Sequence, residues 1–149
     1  MNRTEVSTAL LAAKCAKDMS FADIAAAVGR HKVWVTAVIM GQAATDAEEA
    51  ERLLGVLGLG GQEQMQAILQ QAPSKGSLDQ TVPTDPLIYR FHEITQVYGT
   101  TLKALIHEEF GDGIMSAIDF EIDVERVADP KGDRVRVTYN GKFLPYRKW

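Results

Sequence analysis

Apolar positions along the first seventy residues recur at helical spacing. Val6, Leu10, Ala13 and Lys17 follow the i, i+4, i+7 rhythm of an amphipathic helix. Ser20 is placed to cap the next helix, with Asp23 three residues on in the position where a capping box uses Glu, and Gly29 ends it. A third helix is predicted from His31 to Met40, closed by Gly41. Asp46 caps a fourth, rich in Glu48, Glu49 and Glu51 with Leu53 and Leu54, which Gly55, Gly58, Gly60 and Gly61 break. Gln62 to Gln71 gives one more short helix.

Residues 72–86 then read as a linker: three prolines with Ser and Gly favour extended, irregular chain. Beyond it the period changes. Leu87 to Tyr98 and Thr101 to Phe110 are helical, with Gly99 between them. Ile118, Phe120, Ile122 and Val124 alternate with Asp119, Glu121 and Asp123, the period-two signature of a half-buried strand, and Val135, Val137 and Tyr139 alternate likewise. Asn140-Gly141 is a type I′ turn signal leading into Lys142, Phe143 and Leu144. The pattern predicts an α+β chain. Residues 1–80 form an N-terminal helical bundle resembling a helix-turn-helix DNA-binding domain, and residues 81–149 a small helix-plus-antiparallel-strand domain. So few strands cannot cover both their faces and their edges, so oligomerisation through the C-terminal half is expected.

At 149 residues, with 46% hydrophobic and 24% charged residues, the composition is that of a globular protein able to bury a core of its own. The single cysteine, Cys15, rules out an intrachain disulfide and reads as a small core thiol beside Leu11. No run of 18 apolar residues is present, so no membrane association is expected. The first twenty residues lack the pattern of a signal peptide, which makes a cytoplasmic location the expectation.

The helix-turn-helix pattern comes without the charge that a DNA reader needs. Ala25 is the small residue of the first helix and Gly29 makes the turn, while Ile24, Val28, Val35 and Val38 fill the apolar positions. Yet the net charge is −4, and residues 1–80 carry seven Lys and Arg against nine Asp and Glu. The second helix offers only His31 and Lys32 near its start. Phosphate neutralisation supplies most non-specific affinity for nucleic acid, so the bundle is read as packing and no nucleic-acid partner is expected. A DNA-binding regulator with a C-terminal small-anion sensor is the alternative.

The candidate chemistry lies in the C-terminal half. Arg90 and Glu93, at i, i+3, share a helix face. Spacing alone favours an ordinary surface pair contributing about 0.2–0.5 kcal/mol. Ser116 lies in a short apolar run after Gly111-Asp112-Gly113, in no G-x-S-x-G elbow and with no histidine placed to activate it. It reads as a hydrogen-bond donor or an ordinary strand serine. The three histidines, His31, His92 and His107, show no metal-ligand spacing, and His107-Glu108-Glu109 reads as a solvated helix end. No nucleotide-binding glycine motif is present, so the glycines at 55–61 read as helix punctuation.

The run YRFHEITQVYGTTLKALIHEEFGDGIMSAIDFEIDVERVADPKGDRV, closing with YNGKFLPY, resembles the cyanase family (cyanate hydratase or cyanate lyase). The N-terminal KDMSFADIAAAVGRHKVWVTAVIMGQ and LLGVLGL segments extend the resemblance over essentially the whole chain. It implies an active site of an arginine and a glutamate from the Y-R-F-x-E helix and a serine after the F-G-D-G turn, which here are Arg90, Glu93 and Ser116. It also implies a homodecamer, a pentamer of dimers with intertwined strands and sites between subunits. The implied reaction joins cyanate to bicarbonate as co-substrate and yields carbamate and carbon dioxide. Carbamate then decays to ammonia and a second carbon dioxide. No metal or organic cofactor is implied.

Overall fold

The computed structural model describes residues 1–74 and 81–149, in two compact units, Met1–Ser77 and Leu78–Trp149. Part of the predicted linker, residues 75–80, and with it the predicted boundary at 80, lies outside the described residues.

The first unit is five helices: α1 (Arg3–Ala16), α2 (Phe21–Val28), α3 (Lys32–Ile39), α4 (Ala47–Val56) and α5 (Glu63–Gln70). The caps read from the sequence are in place. The Ser20 hydroxyl accepts the Asp23 N–H and Asp23 accepts the Ser20 N–H, a complete capping box. Asp46 and Glu49 repeat it at α4. Gly29, in the left-handed region at φ 75°, ends α2 and starts the three-residue turn into α3. Val6, Leu10, Ile24, Val28, Val35 and Val38 are all buried and join Leu53, Leu54, Met65 and Leu69 in one core. Arg3 clamps this unit, donating to the carbonyls of Ala43 and Ile68.

Two expectations are corrected here. Cys15 is exposed rather than a core thiol, because the face of α1 turned to the core is the Val6–Leu10 stripe and Cys15 lies beyond it. Gly55 does not break α4, which runs through it to Val56. A glycine ends a helix where the backbone turns left-handed, and that happens at Gly58, φ 73°.

The second unit is one helix, α6 (Pro86–Phe110), and two strands, β1 (Gly113–Val127) and β2 (Arg134–Pro145), paired antiparallel. Asp85 caps α6 by accepting the N–H groups of Leu87 and Ile88, with Pro86 at its first position. The two predicted C-terminal helices are therefore a single 25-residue helix. Gly99 keeps helical torsions inside it and costs about 1 kcal/mol relative to Ala, which is too little to separate two strong helical segments. None of its residues is buried. Leu87, Phe91, Ile94, Tyr98, Leu102 and Leu105 recur along it at intervals of three and four, and all are exposed.

The hairpin turn is also elsewhere than predicted. Asn140 and Gly141 lie inside β2, facing Glu121 and Phe120. The chain reverses at residues 128–133, where Asp129 accepts the Lys131 N–H and the Arg134 guanidinium, and Gly132 sits at φ 119°. Asp129-Pro130-Lys131-Gly132 is itself strong turn chemistry, and it supplies the reversal that Asn140-Gly141 does not.

Candidate anion site in the C-terminal unit

Arg90 and Glu93 stand one turn apart near the start of α6 and form an ion pair between Nη1 and Oε2. Both are solvated, at 60% and 45% side-chain exposure, so in this setting the pair contributes well under 1 kcal/mol. The Arg90 guanidinium also lies 5.6 Å from the centroid of the Tyr89 ring, a cation–π distance. Tyr89 in turn packs against His92 with ring centroids 6.0 Å apart. The guanidinium is thus held by a carboxylate and an aromatic face, while its remaining N–H groups have no partner among the described residues.

Ser116 is set differently. It is 4% exposed, on β1, where the ladder breaks. Met115 pairs with Phe143 and Phe120 with Gly141, so four residues of β1, 116–119, face the single residue Lys142 on β2. This excursion is closed by Ser116 itself, whose Oγ accepts the N–H groups of Ile118 at 3.0 Å and Asp119 at 2.9 Å. With both lone pairs engaged, the hydroxyl is a poor nucleophile, and its capacity left over is the O–H donor. The excursion also throws Ile118 outward to 98% exposure. The end of α6 is tied to the same strand. A ring nitrogen of His107 lies 3.2 Å from the Gly113 carbonyl oxygen, so His107 is half-buried and bonded rather than part of a solvated helix end.

Within one chain, no hydrogen bond or ion pair among the described residues joins Ser116 to Arg90 or Glu93. The structure brings the first two predicted site residues together, while the third, on β1, is bonded within its own strand. No group of three or more His, Cys, Asp and Glu among the described residues is arranged to hold a metal ion. Among the described residues, no helix is long and apolar enough to cross a membrane.

One open guanidinium, one carboxylate beside it and one donor hydroxyl make a set suited to small oxyanions, and no nucleophile–base pair accompanies them. Comparison with known proteins narrows this class. Residues 3–73 match the cyanate hydratase N-terminal family, and residues 80–148 match the cyanate lyase C-terminal domain. The chain is 58% identical to a cyanate hydratase of Parasynechococcus marenigrum over 149 residues, all of both chains. It is also 58% identical to that of a Synechocystis strain over 152 residues, again covering both in full. A crystal structure of cyanase from T. urticae superposes with a TM-score of 0.83 at 41% identity, covering 94% of this chain and 96% of that one. The chain belongs to the cyanate hydratase (cyanate lyase) family and is an enzyme of the lyase class.

Proposed function

We propose that this enzyme decomposes cyanate in a bicarbonate-dependent reaction, with Arg90, Glu93 and Ser116 as its site and no metal or organic cofactor. Family membership supports the activity. The site is supported by its setting: a solvated Arg90–Glu93 pair beside an exposed apolar stripe on a helix with no buried residue. Covering that stripe takes other copies of the chain. The site is therefore one shared between subunits of a homo-oligomer, a decamer built as a pentamer of dimers, working in the cytoplasm.

The chemistry explains why an arginine is needed. Both reactants are monoanions, and two unit charges about 4 Å apart repel by roughly 4 kcal/mol at an effective dielectric near 20. Their adduct is a dianion. Its breakdown to carbamate and carbon dioxide takes up one proton, and carbamate decay to ammonia and carbon dioxide takes up another. Arg90 neutralises the paired anions and the adduct, its planar fork matching carboxylate-like oxygens as a lysine does not. Ser116 donates to the same oxygens. Glu93 orients the guanidinium, and a proton-relay role is the alternative for it. Equivalent residues from several subunits raise the local positive potential without changing the chain's net charge of −4. Holding both reactants in register removes several kcal/mol more of the barrier.

The test is to purify Arg90→Lys, Glu93→Gln and Ser116→Ala and to measure bicarbonate-dependent ammonia release from cyanate. Arg90→Lys loses most of the activity although its charge is kept. Near-normal activity in all three, in correctly assembled protein, overturns the assignment.

A further inference from the structure

Gly141 stands on β2 opposite Phe120, where the ladder resumes after the Ser116–Asp119 excursion. A Cβ built there would lie 2.3 Å from the Ser116 carbonyl oxygen and 2.6 Å from Met115 Cγ. The methionine end could swing away, but the Ser116 carbonyl is backbone and cannot yield without moving the residue that carries it. Gly141 is not in the left-handed region, so its use is not torsional freedom. It is a place where two backbones come closer than any side chain permits. Gly113 makes a matching close approach at the other end, where a Cβ would lie 2.4 Å from the Leu144 carbonyl oxygen. The two glycines bracket the excursion, one on each strand.

We propose that Gly141 is a positioning residue for the reaction: its missing side chain lets β2 press against the Ser116 carbonyl and hold the excursion in the form that presents the Ser116 hydroxyl. This rests on the reading that Ser116 donates to substrate. The bonds from Ile118 and Asp119 to Ser116 Oγ fix the hydroxyl from within the excursion, and Gly141 fixes the excursion from across the sheet. A methyl group at 141 pushes the Ser116 backbone outward, and a displacement near 1 Å at a site can cost on the order of a hundredfold in rate.

The experiment compares Gly141→Ala, Ser116→Ala and the double variant in the full-length assembled enzyme. Gly141→Ala is expected to lose on the order of a hundredfold in kcat with a smaller change in KM. In the Ser116→Ala background the same change is expected to cost no more than about threefold, because two groups acting as one unit are not additive. Gly132→Ala serves as the control. An alanine at Gly132, φ 119°, strains the backbone of the same hairpin, but its Cβ would meet nothing within 4 Å, so activity is expected to stay close to that of the unaltered enzyme. An equal loss in Gly132→Ala, an active Gly141→Ala, or losses that multiply in the double variant each overturn the inference. An active Ser116→Ala overturns the site reading and this inference with it, whereas an inactive Ser116→Ala beside an active Gly141→Ala overturns the inference alone.

Should Gly141→Ala fail to assemble, Met115→Ala/Gly141→Ala relieves the side-chain overlap and leaves the one with the Ser116 carbonyl. Residue-resolved hydrogen exchange on the unaltered protein and Ser116→Ala needs neither. The Ile118 and Asp119 amides are expected to be protected and then to lose protection when the Ser116 hydroxyl is removed. Unchanged exchange at both overturns the inference.

Discussion

The Arg90–Glu93 pair was legible in the sequence because i, i+3 spacing guarantees proximity on any helix. Spacing alone did not say what the pair is for, since an exposed ion pair looks the same whether or not it binds anything; the site role was implied only by the resemblance of the surrounding Y-R-F-x-E motif to the cyanase family. Its role divides by experiment. If Glu93 orients the guanidinium, Glu93→Gln keeps a hydrogen-bond acceptor in place and retains activity within about tenfold, with the shape of the pH–rate profile unchanged. A proton relay instead contributes about a hundredfold or more, and its loss reshapes that profile. The setting of Ser116 lay beyond one-dimensional pattern. Its buried hydroxyl is fixed by a register break against β2, some 25 residues downstream, and no local spacing encodes a pairing at that distance. Gly141 was misread for the same reason: Asn-Gly signals a turn, whereas here the glycine serves a close approach. His107 was misread because its partner, the Gly113 carbonyl, belongs to the last residue of the Gly-Asp-Gly stop, where the chain turns back toward the helix end.

At the scale of elements, capping chemistry is the part that sequence reading recovers best, because a cap is a local contract between residues three apart. Ser20, Asp46 and Gly29 all act as read. Gly29→Ala is expected to cost about 1 kcal/mol in denaturant unfolding, all of it backbone strain, since a Cβ there would meet nothing within 4 Å. Gly55 and Gly99 show the opposite limit, because helices run through isolated glycines when the flanking segments hold. The true hairpin turn makes a pH-dependent prediction. The Arg134 side chain, and then the Lys131 N–H, hold the Asp129 carboxyl below its ordinary range. The folded state therefore favours the carboxylate. That contribution is present above the unfolded value, near pH 4, and is lost as the pH falls through the folded value. Asp129→Asn is expected to lower the apparent melting temperature at pH 7, with the difference from the unaltered chain closing in acid. The Asp129 side chain is 23% exposed and its partner Arg134 is solvated, so the effect is small; an equal or larger difference at low pH contradicts the assignment.

At the scale of the whole molecule, the two halves use their apolar residues differently. The helical unit buries its own core, whereas α6 and the sheet leave Leu87, Phe91, Tyr98, Leu102, Leu105, Ile118 and Val135 uncovered. A two-stranded sheet and a lone helix are not stable alone, which is why the incomplete sheet already pointed to self-association in the sequence. Leu102→Glu places a charge in the α6 stripe and is expected to shift the sedimentation profile to smaller species. Activity falls in step, because the proposed site needs more than one subunit; full activity in a dissociated variant contradicts a shared site. Ammonia release from cyanate by the purified protein across a range of bicarbonate concentrations is the decisive measurement of the proposed activity. Release is expected to rise to saturation with bicarbonate and to fall to background without it. No ammonia at any bicarbonate concentration, together with a salt-dependent shift of duplex DNA, contradicts it and favours a DNA-binding regulator.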